Sequence, residues 1–198
     1  MSTINAKTVM QLREKTGAGI MDCKEALTEC NGDMDSAVDF LRKKGLAIAA
    51  KRAGRAMTEG VIQSYIHMDS KLGVLVEVNC ETDFVAKNDD FNAFAKNLAM
   101  HIAATNPVAI RQEDVPEEVI NKEKEIYRAQ VLEMGKPEKV ADKIVDGKLQ
   151  KYFKENCLLN QSYVRDPDMT IEDLLNDMIA KIGENISIKR FARFRIGE

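Results

Sequence analysis

The chain has 198 residues, of which 44% are hydrophobic and 31% are charged, and these proportions are those of a protein with a real core. Its 29 basic and 32 acidic side chains give a net charge of -3, which argues against a general nucleic-acid binder, since such proteins are usually basic. No apolar run approaches the roughly 18 residues of a membrane span, and no charged and apolar leader opens the chain, so we expect a cytoplasmic protein.

The N-terminal part of the chain is predicted to form a compact bundle of three helices. Asn5 is suited to cap the first helix, and Gly17 is suited to the left-handed position that ends it. A second helix is expected over residues 20–30, and Asp33 is suited to cap a third. The positions predicted to carry the apolar faces are Val9, Leu12, Cys23, Ala26, Leu27, Cys30, Ala37, Val38 and Leu41.

Two apolar residues, Ile20 and Met21, open the second helix directly after a glycine turn. Neighbouring residues of a helix lie on different faces, so at most one of the two can point fully inward. The other is a candidate surface contact, and small bundles of this kind often serve as interaction modules.

Residues 46–60 start like a helix and then have the composition of a linker, because Gly54 and Gly60 interrupt the pattern. We therefore expect one domain over residues 1–53 and a second over residues 54–198. A basic cluster lies in this segment, and the acidic balance of the chain favours solvation of the cluster over contact with RNA. The cluster is Lys51, Arg52 and Arg55.

A β-hairpin is predicted next, with strands over residues 61–67 and 71–79. Apolar residues alternate along the second strand, which is the period of a half-buried strand. They are Leu72, Val74, Val76 and Val78. A helix follows, for which Asn88, Asp89 and Asp90 are candidate caps, and it is expected to end near residues 106–107 before proline. Its apolar face is Phe91, Phe94, Ala95, Leu98 and Ile102.

Residues 82–87 fit neither the strand pattern nor the helix pattern, and they contain a large aromatic side chain, Phe84, next to Asp83. An aromatic residue on a loop between rigid elements is a candidate for direct contact with a partner. The alternative is that Phe84 packs inward where the helix begins.

Residues 114–156 are heavily charged and are predicted to form an antiparallel helical hairpin, with Pro116 in a first helical turn and a tight turn over residues 135–137. Each arm has a narrow apolar seam. The seams are Val119, Ile120, Ile126, Tyr127 and Val131 on the first arm, and Val140, Ile144, Leu149 and Tyr152 on the second.

The C-terminal part is predicted to contain a turn at residues 166–168, a short amphipathic helix that ends at Gly183, and a last strand over residues 186–196. One face of that strand is apolar and the other is basic, and we expect the basic face to be solvated or salt-bridged. The apolar residues are Ile186, Ile188, Ala192, Phe194 and Ile196, and the basic ones are Lys189, Arg193 and Arg195.

The sequence contains no phosphate-binding loop, dinucleotide fingerprint or nucleophile elbow. The four cysteines match no zinc or redox spacing, and His67 and His101 are isolated, so no metal or cofactor is expected. Cys80 has no base evident in the sequence, which argues against a thiol nucleophile. The chain is therefore predicted to be a binding protein and not an enzyme.

Two long segments resemble the signatures of one family. Residues 12–27 (LREKTGAGIMDCKEAL) and residues 77–88 (EVNCETDFVAKN) closely resemble the two signatures of the elongation factor Ts family, and residues 183–194 are also similar to it. The resemblance implies a nucleotide exchange factor for the translational GTPase elongation factor Tu. It also implies an α+β fold, with a ubiquitin-associated-like bundle before a core built on a three-stranded antiparallel sheet.

The same resemblance implies which residues touch the partner. In the bundle they are Leu12, Ile20 and Met21. In the second signature, the Asp-Phe pair that intrudes into the GTPase in the family falls on Asp83 and Phe84. The residues that frame them are Thr82, Val85, Ala86, Lys87 and Asn88. This chain has Ile20 where methionine is frequent and Lys87 where arginine is frequent, both mild changes.

The chain resembles the short form of the family, for which a homodimer is expected to replace a missing second half of the core. Two other functions stay open on the residues alone. An RNA- or ribosome-associated factor would bind RNA in a salt-sensitive way, and a thiol enzyme would depend on Cys80.

Overall fold

The computed structural model describes residues 4–134 and 137–198, so part of the predicted turn at residues 135–137 lies outside the described residues. The described part has a mixed α/β architecture, which confirms the predicted fold class. Its helices are α1 (Ala6–Thr16), α2 (Ile20–Glu29), α3 (Met34–Arg52), α4 (Asp83–Ala86), α5 (Asp89–Thr105), α6 (Glu117–Glu133), α7 (Glu138–Asn156) and α8 (Ile171–Ile182). Its strands are β1 (Glu59–Ile66), β2 (Leu72–Cys80), β3 (Ser162–Tyr163), β4 (Asp166–Thr170) and β5 (Ile186–Arg195).

The strands form a three-stranded antiparallel sheet in the order β1-β2-β5 and a small sheet of β3 and β4. The chain divides into two compact units. The first unit is Met1–Gln63, Val76–Lys96 and Asp173–Lys189, and the second is Ser64–Leu75, Asn97–Glu172 and Arg190–Glu198. The separation of residues 1–53 from residues 54–198 stays a prediction.

Local chemistry defines the helix ends of the first unit as predicted. The Asn5 side chain accepts a hydrogen bond from the Lys7 N–H at 3.0 Å, and Gly17 takes the left-handed conformation with φ 69 after α1. The Asp33 carboxylate caps α3 by accepting from the Ser36 N–H at 2.8 Å. The buried cluster between α1, α2 and α3 is Val9, Leu12, Cys23, Ala26, Leu27 and Ala37.

Helix α3 also packs on α8 within the first unit. A Cβ added to Gly45 would lie 3.3 Å from the Cβ of Ala180, so glycine allows the close approach of the two helices. An ion pair between Arg42 and Asp173 joins the same two helices. Gly183 ends α8 with φ +83, as predicted.

The predicted alternation along β2 is confirmed, because Val74, Val76 and Val78 are buried and Leu72 is half-buried. The predicted apolar face of α5 is buried as well, and the helix ends at Thr105, just before Asn106 and Pro107. The buried face of α5 includes Phe91, Phe94, Ala95, Leu98 and Ile102. No helix among the described residues is long and apolar enough to cross a membrane.

The second unit contains the predicted helical hairpin, but the apolar seam of α7 was predicted one position too early at most sites. Val140 is exposed and Ile144 and Tyr152 are only half-buried. The buried residues of α7 are Ala141, Val145, Leu149 and Phe153. A small residue such as Ala141 lets α6 and α7 approach closely, a feature that counting large apolar side chains does not detect.

The predicted turn at residues 166–168 is wrong. Asp166 begins β4, which pairs antiparallel with β3 at Ser162↔Thr170 and Tyr163↔Asp166, and the turn lies at residues 164–165. Pro167 is tolerated because this is a short sheet with two edge strands. Two residues of β3 are too few to give a recognisable period.

A buried polar network supports this small sheet. His101 is fully buried, and its Nε2 lies 2.9 Å from Oε1 of Gln161. The Val164 N–H donates to Nδ1 of His101 at 3.4 Å, so Nδ1 is the acceptor and Nε2 carries the proton. Thr105 donates its hydroxyl to the same Gln161 oxygen at 2.8 Å.

On the C-terminal half of β5, the basic face forms salt bridges, as predicted. Arg193 lies 2.7 Å from the Glu198 carboxylate, and Arg195 lies 3.4 Å from it. The predicted apolar face is divided, because Ile186 and Ile188 are buried whereas its last two residues, Phe194 and Ile196, are exposed.

Candidate partner-binding surface

We call residues 82–88 the tip. The sequence predicted an irregular loop there, but the structure contains one helical turn, α4. Thr82 starts this turn with extended backbone, and its hydroxyl oxygen accepts the Val85 N–H at 3.4 Å. At the other end, the Lys87 N–H donates to the Asp83 carbonyl at 3.2 Å and the Asn88 N–H donates to the Val85 carbonyl at 2.9 Å.

Phe84 projects from this turn into solvent, with 81% of its surface exposed. The alternative that it packs inward at the start of α5 is therefore wrong. Hydrogen bonds within the turn hold the backbone that follows Phe84, from Val85 to Asn88. A large aromatic side chain held in this way is suited to contact another molecule.

The two charged residues of the tip form an ion pair. Nζ of Lys87 lies 2.7 Å from Oδ2 of Asp83, one helical turn away. The hydrogen bond and the charge of Lys87 lower the pKa of Asp83, and those of Asp83 raise the pKa of Lys87. Both groups are therefore ionised near neutral pH, and a partner that binds Asp83 must compete with Lys87.

The C-terminal side of the tip is held by side-chain amides. Oδ1 of Asn88 accepts the Asp90 N–H at 2.8 Å, which confirms it as the cap of α5. Nδ2 of Asn92 donates to the carbonyls of Ala86 and Asn88, each at 2.9 Å. These bonds fix the exit from α4 while Val85 and Ala86 remain half-buried.

The N-terminal side of the tip rests on residues to which the sequence assigned no role. Glu184 accepts three hydrogen bonds from the neighbouring residues Glu81 and Thr82. Glu81 in turn lies within 3.8 Å of Arg52 and 3.4 Å of Arg55, so two residues of the predicted basic cluster are paired. Glu184 lies in the segment that resembles the family. Its contact with Thr82 could not be predicted, because residues about a hundred positions apart in the sequence leave no periodic pattern.

The residues predicted in the bundle divide into two groups. Ile20 and Met21 are both on the surface, with 49% and 73% of their areas exposed, so neither points fully inward. Leu12 is fully buried in the core of the bundle. A direct contact between Leu12 and a partner is therefore not available, because its position three residues after Val9 turns it inward.

Cys80 lies directly below the tip and is fully buried. Its thiol donates to the Thr82 carbonyl at 3.2 Å. Burial, with the nearby charge of Glu184, raises the pKa of Cys80 to about 11. The thiol is therefore protonated at neutral pH, which argues against a role as a nucleophile. In the described ranges, no cluster of His, Cys, Asp or Glu could hold a metal ion.

Comparison with known proteins gives a consistent result over the whole chain. A sequence model of the family described as Elongation factor TS matches residues 6–198. The elongation factor Ts of Desulfosudis oleivorans is 66% identical over 198 residues, covering 100% of both chains. That of Caldanaerobacter subterraneus subsp. tengcongensis is 62% identical over 195 residues, covering 98% of both. That of Geobacter sulfurreducens is 59% identical over 196 residues, covering 99% of this chain and 91% of the relative.

Proposed function

The chain belongs to the elongation factor Ts family, and on this premise we propose that it releases GDP from the translational GTPase elongation factor Tu by inserting its tip. The observation that carries the proposal is Phe84, exposed on a helical turn whose two ends are both capped. Rigid support and an exposed aromatic side chain are the properties that a wedge needs.

The mechanism requires no covalent step. A GTPase holds GDP through a phosphate loop and a Mg²⁺ ion, whose near-octahedral shell tolerates little distortion. In our proposal the Phe84 ring fills a gap between elements of the GTPase, and Asp83 competes for groups that order the Mg²⁺ site. Displacing the surrounding loops lowers the affinity for the nucleotide.

The bundle supplies a second contact through Ile20 and Met21, whose side chains are exposed next to each other at the start of α2. Leu12 supports this surface from within the core, because it packs in the cluster that holds α1 against α2. Both proposed contact regions belong to the first unit.

Binding linkage determines the order of events. If the factor weakens GDP binding, GDP must weaken factor binding by the same ratio. The factor therefore binds the nucleotide-free GTPase more tightly than the loaded form, and incoming GTP expels it. A protein of this type works in the cytoplasm, where translation takes place.

We further propose that the second unit forms a homodimer. Four exposed apolar side chains surround a cleft of about 580 Å³ on this unit. They are Ile66, Leu75, Phe194 and Ile196. Exposed apolar side chains that line one cleft are suited to contact another molecule, and a second copy of the chain would cover them by a two-fold interface.

The decisive experiment is the release of fluorescent GDP from elongation factor Tu with and without this protein. The proposal predicts an acceleration that rises with the concentration of the factor and saturates. A release rate that does not depend on the factor would refute the proposed function. Salt-sensitive binding to RNA by the chain alone would favour the RNA-associated alternative.

A further inference from the structure

We propose that Glu184 is a positioning residue for the tip. The carboxylate of Glu184 holds the tip in the conformation that binds the GTPase. That the partner is a GTPase rests on the proposed function. The hydrogen bonds from Thr82 to the Glu184 carboxylate are independent of any partner.

The carboxylate of Glu184 is directed at one short backbone segment. Its Oε2 accepts the N–H of Glu81 at 3.2 Å and the N–H of Thr82 at 3.1 Å. Its Oε1 accepts the hydroxyl of Thr82 at 2.7 Å. Hydrogen bonds to an ionised acceptor are stronger than neutral ones, so this side chain is a firm anchor for the entry into α4.

The hydroxyl of Thr82 transmits this anchor to the helical turn. It donates its proton to Glu184, and its lone pairs are therefore free to accept the Val85 N–H at 3.4 Å. Each bond of such a chain polarises the next. A four-residue helix is not stable by itself, because nucleation of a helix is unfavourable. The turn that carries Phe84 thus depends on contacts outside itself.

A second set of bonds runs in the opposite direction between the same two segments. The Glu81 carboxylate accepts the Asn185 N–H at 2.6 Å, and this bond, with Arg55 and Arg52, lowers the pKa of Glu81. Nδ2 of Asn185 donates to the Arg55 carbonyl at 3.2 Å. Residues 81–82 and residues 184–185 therefore each supply a carboxylate that accepts a backbone N–H of the other pair. We call these two pairs the joint, and bonds in both directions restrain the two segments relative to each other.

This geometry predicts a specific kinetic effect. If only a fraction of molecules holds the tip in the docking conformation, the apparent dissociation constant rises by the inverse of that fraction. Once docked, the tip still presents Phe84. Loss of Glu184 should therefore raise the concentration of factor needed for half-maximal GDP release, while the maximal rate changes little.

The test compares Glu184→Ala with Glu184→Gln and with a matched control, Asp173→Ala, which breaks the ion pair to Arg42 in the same unit without touching the tip. For Glu184→Ala we expect the half-saturating concentration to rise about tenfold or more and the maximal rate to stay within about twofold. Glutamine keeps an acceptor oxygen for the two N–H groups but loses the charge and the acceptor for the Thr82 hydroxyl, so its half-saturating concentration should lie between those of wild type and Glu184→Ala. The control should match wild type in both parameters.

Amide hydrogen exchange of the isolated protein gives a readout that needs no partner. In Glu184→Ala the amides of Glu81, Thr82 and Val85 should exchange about tenfold faster, with the amides of α1 unchanged. If Glu184→Ala fails to fold, Thr82→Val replaces it, since this variant removes the hydroxyl relay and retains the shape of the side chain.

The outcomes separate the two proposals. An unchanged half-saturating concentration, or unchanged exchange of the tip amides, would overturn the role of Glu184. A fall in maximal rate that glutamine does not rescue would also overturn it. If the wild-type protein leaves GDP release unchanged, the proposed function fails, and amide exchange still decides whether Glu184 holds the tip.

Discussion

Replacing Phe84 with alanine removes the feature on which the proposed mechanism depends. The ring is 81% exposed, so its loss leaves no core cavity, and the free energy of unfolding should change by less than about 1 kcal/mol. Docking is different, because a phenylalanine buries roughly 150–250 Å² when it is enclosed, at about 25 cal/mol per Å².

These values give about 4–6 kcal/mol for complete burial of the ring, from which the 19% that is already covered must be subtracted. Even if only a third of this energy acts in the transition state for GDP release, the loss is about 1.4 kcal/mol, which is about tenfold in rate. We therefore expect Phe84→Ala to slow GDP release tenfold or more at saturating concentration of the factor. Asp83→Ala should act in the same direction, and the double variant should be non-additive if the two side chains act as one wedge.

The assay is stopped-flow release of fluorescent GDP, run alongside thermal melts of each variant. Met68→Ala is a matched control, because Met68 is a large apolar side chain with 94% of its surface exposed and lies outside the proposed contacts. A Phe84→Ala variant that melts at a lower temperature and loses exchange only in proportion to its unfolded fraction would show that Phe84 is structural and would refute the proposed wedge.

Three further predictions concern other parts of the chain. Met21→Asp should weaken binding to the GTPase without unfolding the sheet. An unchanged affinity in a titration would show that the surface around Met21 does not contact the GTPase. Phe194→Glu should convert a dimer into a 22.2 kDa monomer in light scattering at micromolar concentration, and a wild-type protein that is already monomeric would contradict the dimer. Burial lowers the folded-state pKa of His101, so stability should be full above the unfolded value of about 6.5 and fall as the pH drops through and below it. The urea midpoint should therefore decrease on acidification in wild type and less so in His101→Gln, and an equal decrease in both would disprove the assignment.

Elements defined by local chemistry were predicted well from the sequence. Asn5 and Asp33 cap their helices, and Gly17 and Gly183 end theirs, because each acts on its own backbone within a few residues. The alternation in β2 and the apolar face of α5 were also predicted, since burial on one side imposes a period on the sequence. The same logic identified Phe84 as an aromatic residue that fits neither period.

Features that depend on tertiary contacts were missed. The turn α4 could not be predicted, because its cap Thr82 is fixed by Glu184, about a hundred residues further along the chain. The seam of α7 was misplaced because small Ala141, and not the larger Val140, faces α6. The strand β4 was missed because Pro167 is a turn signal in most contexts and is tolerated here at a sheet edge.

The long sequence separation between Thr82 and Glu184 has a consequence for how the tip acquires its shape. Local interactions alone do not stabilise a single helical turn, so α4 depends on the polypeptide around β5 to supply Glu184 and Asn185. The bonds of this joint are polar, and Glu81, Thr82 and Glu184 are only half-buried although Asn185 is buried, so loss of the Glu184 carboxylate removes little apolar packing. The exposed wedge can thus be rigid without being part of the core. Substitutions in the joint are therefore expected to affect affinity for the GTPase more than the stability of the fold.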